Sequence, residues 1–295
     1  VDALPLPDFD ESGDTTEVQR IAALTTAAMN VEENVWGIAL MALQANIPNT
    51  LPGQNVTFVV FGDVSMQVDP DNSGFDAPMQ AFSFTTGIGT PQCREAPFDG
   101  VLLQTPEDIT VNFKVNGIEI EAGSTVLLDE RSEGKVWVSA LEGSAKVTSQ
   151  GATQRADAGY IVITRPGEVP QPPQPYKNED VRAVPIVLLP RPITIPFVLD
   201  SIEGTRDWLE SDFVVTAGST YTLVVTNRVN LFSDCTEAGM EGTGLDCRDM
   251  VISGRGVIRG QPAPDDAPLP GDAIGAVLAR IDGGAPFYVG TRHTF

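Results

Sequence analysis

Oxygen-bearing side chains alternate in the loop VDPDNSGFDAP, a spacing that can bind a cation. Asp69, Asp71 and Ser73 precede a glycine, as the first oxygen ligands of a calcium loop do, and Asp76 can add a further oxygen. The position that holds a bidentate glutamate in such loops is Gln80, and no helix pattern flanks the run. These four oxygen-bearing residues are therefore a candidate calcium site, with an ordinary Asx-rich turn as the alternative.

Nucleophilic and zinc chemistry have few residues to work with, since the chain has three cysteines and one histidine. A Ser-His-Asp or Cys-His site would have to use His293, and a zinc site needs several His or Cys ligands. The sequence contains no nucleophile elbow, P-loop or dinucleotide fingerprint. Cys235 and Cys247 bracket a glycine-rich loop, which predicts a disulfide and an oxidising compartment, with two reduced thiols as the alternative. Cys93 is left over.

The charge balance excludes several classes of partner. The 40 acidic and 18 basic residues give a formal net charge of -22. Phosphate backbones and anionic membranes would be repelled, because binding them needs clustered Lys and Arg. No run approaches the roughly 18 to 20 apolar residues of a membrane span. We therefore expect no nucleic-acid partner and no membrane insertion, and an acidic surface suits a secreted, soluble protein.

The elements that position these residues are predicted to be strands, with little helix. The run WGIALMALQ is interpreted as a buried strand, although its composition also allows a helix. The Val and Phe content of NVTFVVFGDV and the alternation in MQAFSFTTG predict two more strands. The fold class is therefore mainly β, built of tandem small β-sandwich or β-roll modules joined by a Pro-rich spacer.

Two hairpins are predicted in residues 105–165. Asn116 and Gly117 form the first turn and pair Val115 with Ile118, because both turn residues tolerate positive φ. The dipeptide Glu142-Gly143 is predicted to join KVWVSAL to SAKVTSQ as a second two-residue turn. That register would pair Ala140 with Ala145 and Val138 with Val147.

Trp137 falls on the face of this second hairpin opposite to Val138. Two interpretations of Trp137 stay open. A second layer or a neighbouring domain covers it, or it contacts a partner.

The segment VWVSALEGSAKV, followed by a polar hairpin and RADAGYIVIT, resembles the FecR-like extracytoplasmic β-domain. The shared pattern is V-x-V-x-x-x-x-G-x-x-x-V and then a strand ending in x-x-A-G. The resemblance implies a small all-β fold outside the cytoplasm, with no catalytic residues.

Prolines dominate residues 166–196, which predicts a semi-rigid spacer. The apolar run VPIVLLP within it is expected to lie along a module as an edge segment. The domain plan is therefore an N-terminal arm (1–20), a first β-rich module (21–104), a second β module (105–165), the spacer (166–196) and a last module (197–295).

The last module carries a Trp, then D-F-x-V-x-A-G-x-x-Y-x-L, a long loop, and L-P-G-D-x-I-G-A-V-L-A-R-I-D-G-G-A-P-F-x-V-G. This order resembles the galactophilic bacterial lectins (PA-I-like), which are galactose-binding-type β-sandwiches. The resemblance implies a sandwich in which residues 271–295 form strand, turn and strand. The calcium and sugar ligands of that family lie in a further closing segment, and this sequence ends at Phe295, so no ligand carries over. We expect a strand from this chain or another to cover the edge left without that segment. The alternative is that the native chain continues past Phe295 and completes its own sandwich.

Our first hypothesis is a non-enzymatic extracellular structural or interaction protein. It would be a bacterial subunit of a cell-surface or filamentous assembly, held by β-module contacts and strand addition between copies. The chain begins at Val1, as a mature chain does after signal-peptide removal, which fits an extracellular or cell-surface location. The N-terminal arm, or the edge of another subunit, is expected to dock by β-augmentation. The interaction candidates are Leu4, Leu6, Phe9, Trp137 and Trp208.

The alternative is a calcium-assisted carbohydrate-binding module or adhesin. It would use Trp208 or Tyr221 together with the Asp69 loop, and its partner would be a carbohydrate. A third hypothesis, a hydrolase with two carboxylates, has almost no support, because some acidic pair is always close among 40 acidic residues.

Overall fold

The chain divides into two compact units, Val1–Val198 and Leu199–Phe295. The computed structural model describes residues 13–17, 20–28, 30, 32–33, 35–43, 54–69, 78–87, 99–131, 134–181 and 184–198 of the first unit. In the second unit it describes residues 222–224, 229–230, 251–252, 257–262, 273–274, 278–281, 284–289 and 292–294. The predicted fold class, mainly β, is confirmed.

Strands joined in one hydrogen-bonded sheet make up most of the described first unit. They are β1 (Ala23–Thr25), β2 (Ile38–Leu43), β3 (Val56–Phe61), β4 (Val64–Val68), β5 (Ala81–Thr86), β6 (Gly100–Gln104), β7 (Val111–Val115), β8 (Ile118–Glu130), β9 (Val136–Ser149), β10 (Ala152–Asp157), β11 (Tyr160–Thr164) and β12 (Gln174–Pro175). The described helical pieces are α1 (Asn178–Val181) and the 3-10 turns Pro78–Gln80 and Ile186–Leu188.

The sheet curls around one inner core. Its strand order is β1-β4-β5-β7-β8-β6-β3-β2, and the long strand β8 also pairs along its length with β9. Neighbouring strands are antiparallel except for the parallel pair of β5 and β7. Leu24 on β1 and Met41 on β2 pack in the same apolar cluster, although these strands stand at opposite ends of the order. The two ends of the sheet therefore approach each other around that cluster.

The first predicted hairpin is confirmed. Val115 lies opposite Ile118, and the turn residues Asn116 and Gly117 have φ values of 50° and 78°. The Asn116 side chain also ties this turn to β5. Its Oδ1 accepts the Phe84 N–H at 2.7 Å and its Nδ2 donates to the Phe84 carbonyl at 2.9 Å.

The second predicted turn is wrong. Residues Glu142 and Gly143 lie inside the continuous strand β9, and the chain turns instead at Gln150 and Gly151. A two-residue hairpin turn of this kind needs positive φ at both positions. Gln150 and Gly151 satisfy that need with φ values of 50° and 72°, whereas of the first pair only Gly143 has a positive φ.

Strand β9 carries a bulge at Leu141, because the pairing with β8 skips this residue. One extra residue reverses the side-chain alternation. As a result Val138 and Ala140 before the bulge, and Ala145 and Val147 after it, all pack in the inner core. The predicted pairing of these residues with one another is therefore wrong, because each pairs with a neighbouring strand.

A second apolar cluster covers the outer face of the sheet. Residues 176–181 and 184–197, which together we call the strap, supply its outer layer with the buried Tyr176, Val181, Val184 and Leu189. Alternate strap residues from Arg191 to Ile195 turn inward, as the pattern of half-buried and exposed residues shows. The apolar run predicted to lie at a module edge therefore packs over a sheet face.

The strap and both predicted β modules belong to one compact unit. Strand β6 pairs with β8 and β5 with β7, so the segments 21–104 and 105–165 share a sheet and a core. The boundary between the two units follows Val198.

The described strands of the second unit are short and antiparallel. They are β13 (Thr222–Val224), β14 (Val229–Asn230), β15 (Val251–Ile252), β16 (Val257–Pro262), β17 (Ala273–Ile274), β18 (Leu278–Ala279), β19 (Phe287–Tyr288) and β20 (Arg292–Thr294). Strands β18 and β19 pair as a hairpin within residues 271–295. Strand β20 pairs with β13, so the last described strand has a partner inside the same unit.

Candidate functional site

Strand β2 stands at the end of the sheet order and exposes apolar side chains. Of the strands that the structure describes, only β3 is hydrogen-bonded to it. Met41 is buried in the inner core, while Ile38 and Leu40 on the opposite side are 41% and 57% exposed. Edge strands with exposed apolar side chains are sites where another strand can add.

The apolar layer of the outer face runs up to this edge. Phe61 lies opposite Ile38, Val59 lies opposite Leu40, and both β3 residues are fully buried. The Trp36 ring packs edge-on against Phe61, with 5.5 Å between the ring centroids. Ile38 and Leu40 thus extend a buried apolar surface into solvent.

The residues of β2 whose side chains are exposed also direct their backbone N–H and C=O groups away from β3. The Gly62 N–H donates to the Gly37 carbonyl at 2.9 Å, which is one of the two bonds of a hydrogen-bonded pair, while the Gly37 N–H donates to the Ala27 carbonyl at 3.1 Å. Such pairs alternate along an antiparallel ladder, so Ala39 and Met41 direct their N–H and C=O groups toward β3. The residues whose backbone groups point away from β3 are Ile38, Leu40 and Ala42.

The ladder on the far side of β3 gives the same assignment. The Thr105 N–H donates to the Ser124 carbonyl at 2.9 Å across the pair of β6 and β8. Alternation then directs the backbone of Leu102 toward β3, where it lies opposite Val59. Val60 is left to bond with β2, which agrees with the assignment from Gly62.

Charge is missing along this part of the chain. Residues 34–62 contain no Asp, Glu, Lys, Arg or His, in a protein with a formal net charge of -22. Strand β2 lies within this stretch. The exposed edge is therefore neutral on a strongly acidic molecule.

Two arginines fasten the strap to the sheet. The first is Arg191, whose Nη1 lies 2.5 Å from Glu142 Oε2 and whose Nη2 donates to Ser124 Oγ at 2.9 Å. Its backbone N–H also donates to Gln104 Oε1 at 3.0 Å. Burial acts to raise the pKa of Glu142, but hydrogen bonds from Ser124 and Arg191 outweigh it and lower that pKa. Glu142 is therefore an anionic anchor at the β9 bulge.

The second is Arg131, which holds two buried carboxylates. Its Nε donates to Asp129 Oδ1 at 2.7 Å, and its Nη1 donates to Asp180 Oδ1 on α1. Burial raises the pKa of Asp129 to about 6, although the charge of Arg131 acts in the opposite direction. The guanidinium carbon also lies 4.3 Å from the centroid of the Trp137 ring. Both carboxylates are nearly inaccessible and share one cation, so this group joins the strap to the sheet.

An open groove of about 550 Å³ lies beside the Asn116 turn, with Ser83, Thr85 and Glu130 among its lining residues. Phe82 and Phe84 also line it, but each is only 1% exposed. This groove therefore presents no phenyl ring on which a sugar could stack.

The predicted calcium site falls only partly on described residues. The Asp69 N–H donates to the Ala81 carbonyl at 3.0 Å, at the end of β4. Asp71, Ser73 and Asp76 lie outside the described residues. In the part of the chain that is described, no group of three or more His, Cys, Asp or Glu side chains could hold a metal ion.

Of the predicted interaction residues, Trp137 is described by the structure and the others are not. Trp137 is half-buried under Arg131 on the outer face, where a second layer covers it. The remaining candidates lie outside the described residues, and they are Leu4, Leu6, Phe9, Trp208 and Tyr221 together with the disulfide candidates Cys235 and Cys247. His293 lies on β20, with its ring 4.8 Å from that of Phe287.

The sequence interpretation missed the edge of β2. It placed a strand there, and the strand Ile38–Leu43 is present, but it expected the strand to be buried. Ile, Leu, Met and Ala occupy both faces, so the side-chain alternation that marks a half-exposed strand is absent. The uncharged stretch from 34 to 62 was the readable signal.

Comparisons with known proteins add little. No family model matches the chain, and no curated protein matches it. Two crystal structures of a "putative anti-sigma factor" from Parabacteroides distasonis show similarity, with TM-scores of 0.32 and 0.31 and identities of 9% and 10%. The matched regions cover 52% and 51% of this chain and 60% and 59% of those chains. A likeness this low carries no argument about function. Among the described residues, no helix is long and apolar enough to cross a membrane.

Proposed function

We propose that this protein is a non-enzymatic structural or interaction protein of the cell exterior, whose copies assemble through contacts between β-modules. The observation that carries the proposal is the edge of β2, where exposed Ile38 and Leu40 coincide with outward-facing backbone groups. A solitary soluble protein usually blunts such an edge with charge, proline or a covering segment. Here the strand IALMAL has neither charge nor proline.

The extracellular location is supported by the acidic composition, because an acidic surface suits a secreted protein that must stay soluble. A net charge of -22 keeps separate molecules soluble and apart, so assembly must use surfaces that carry little charge. The uncharged stretch 34–62 provides such a surface.

The test is to place a charge on the edge. Leu40→Lys should abolish self-association, because an edge lysine opposes strand addition. Since Leu40 is 57% exposed, the free energy of unfolding should change by less than about 0.5 kcal/mol. Sedimentation velocity and electron microscopy of the full chain measure association, and urea unfolding measures stability.

Val187→Lys is the matched control. Val187 is an apolar strap residue that is 88% exposed and lies outside β2, so the same charge is added to an exposed apolar position of another element. Val187→Lys should associate like the wild type. Equal association of wild type and Leu40→Lys, or a monomeric wild type at every concentration, would overturn the proposal.

A further inference from the structure

The absence of charge at the β2 edge indicates which kind of partner can bind there. A basic partner would dock where carboxylates are exposed, and the edge has none. Two identical acidic copies repel each other everywhere except where both are neutral. In an antiparallel pair the residues of β2 in one copy lie opposite residues of β2 in the other, and none of them is charged. A second copy of the same strand therefore meets no like charge along the pairing.

The register of such a pair follows from two geometric conditions. Opposed residues must both direct their backbone groups outward, and their side chains must lie on the same face of the joined sheet. Both conditions are met when Leu40 lies opposite Leu40 of the other copy and Ile38 lies opposite Ala42. This register gives about six reciprocal backbone hydrogen bonds, and a shift by two residues leaves about four among the residues of β2.

We infer that the β2 edge binds the β2 edge of a second copy, antiparallel about a two-fold axis at Leu40. The inference rests on the proposed function and specifies its first contact. Side chains of Ile38, Leu40 and Ala42 from the two copies then form one apolar row that continues the outer faces of both sheets. A two-fold contact of this kind uses one edge from each copy and closes, so growth beyond a dimer requires a different surface.

Cysteine cross-linking of the full-length chain tests the register. In Leu40→Cys the two new cysteines face each other with about 5.5 Å between their Cα atoms, within the range of a disulfide. In Ile38→Cys and in Ala42→Cys the like residues of the two copies are about 14 Å apart, beyond that range. Wild type, which keeps Cys93, Cys235 and Cys247, provides the background under the same oxidant.

We expect a covalent dimer from Leu40→Cys alone, and none above background from Ile38→Cys or Ala42→Cys alone. A mixture of Ile38→Cys and Ala42→Cys should form a dimer whose linked peptides join residues 38 and 42. Sedimentation of the same variants separates the two ways of failing. Association without the Leu40→Cys dimer would overturn this register and leave the proposed function standing. Absence of association at every concentration would overturn both.

Discussion

Asp129 is a buried carboxylate that pairs with Arg131. It is 1% exposed, and burial raises its pKa from an ordinary value of 3.8 to about 6, with Arg131 offsetting only part of the effect. Between about pH 4 and pH 6 the folded chain therefore holds a proton at Asp129 that the unfolded chain has released. Stability from this residue is present below the unfolded pKa and is lost as the pH rises through about 6.

We predict that Asp129→Asn removes this pH dependence. As the pH falls from 7 to 4, wild type should gain up to about 3 kcal/mol of unfolding free energy relative to the variant. Urea unfolding of both proteins across this range measures the difference, in which the titration of most other groups cancels. Asp157→Asn removes an exposed carboxylate that pairs with Arg155 and is the matched control. Parallel stability curves for wild type and Asp129→Asn would contradict the assignment.

Single residues were predictable from sequence where their role is local. Asn116 and Gly117 predict their turn because both residue types tolerate positive φ. The contacts that Arg131 and Arg191 make between strap and sheet could not be predicted in this way. Their partners there, Asp180 and Glu142, each lie 49 residues away in sequence and become neighbours only when the strap folds back over the sheet.

At the scale of elements, the turn between β7 and β8 also serves as the lateral partner of β5. Asn116→Ala removes both side-chain hydrogen bonds to Phe84 and places alanine at a φ of 50°. We expect a loss of about 2 to 3 kcal/mol of unfolding free energy. Asn116→Asp retains the acceptor for the Phe84 N–H and should lose less. Equal losses in the two variants, measured by urea unfolding, would show that the bonds to β5 contribute little.

The ion pair of Arg191 with Glu142 holds the strap on the sheet together with apolar packing. Arg191→Met keeps the length of the side chain but leaves Glu142 without its cation. Because Glu142 is half-exposed, we expect a modest loss of about 1 kcal/mol. Faster hydrogen exchange should appear at strap amides such as Leu189, while amides of β9 stay protected. Uniform exchange across the first unit would instead indicate that the strap and the sheet open together.

Elements were predicted well where one local pattern decides them and poorly where two structures share a pattern. Most strands of the first unit follow from their Val, Phe and Ile content. Glu142-Gly143 was misassigned because a glycine with positive φ can lie inside a strand, as Gly143 does in β9, as well as in a turn. The strap was taken for a spacer because its prolines exclude strand pairing without excluding an extended course over an apolar face.

At the scale of the whole molecule, association must overcome repulsion between two copies that each carry a net charge of -22. Salt screens that repulsion and leaves a neutral edge contact unaffected. We predict that raising NaCl from about 50 mM to about 500 mM tightens self-association by on the order of threefold or more. Sedimentation velocity at several concentrations measures the constant. Weaker association at high salt would indicate a contact between opposite charges instead of the β2 edge.

The division into two units was only partly readable from the sequence. The Pro-rich segment marks a change of module, and the boundary at Val198 follows it. Residues 21–165 looked like two modules because the hairpins are local. Pairing of β6 with β8 and of β5 with β7 joins them, and such distant pairings leave no local signature.

Hydrogen exchange along β2 tests most directly the claim that copies associate through the β2 edge. Alternate amides of this strand point toward β3 or toward the proposed second copy, so each set reports on one of the two contacts. At high dilution the amides of Ala39 and Met41, bonded to β3, should be protected, while those of Ile38, Leu40 and Ala42 should exchange freely. As the protein concentration rises, the second set should become protected to a degree that tracks association. Exchange of Leu40 that is slow at every concentration would mean that the chain covers its own edge. Exchange that stays fast in the associated state would mean that assembly uses another surface.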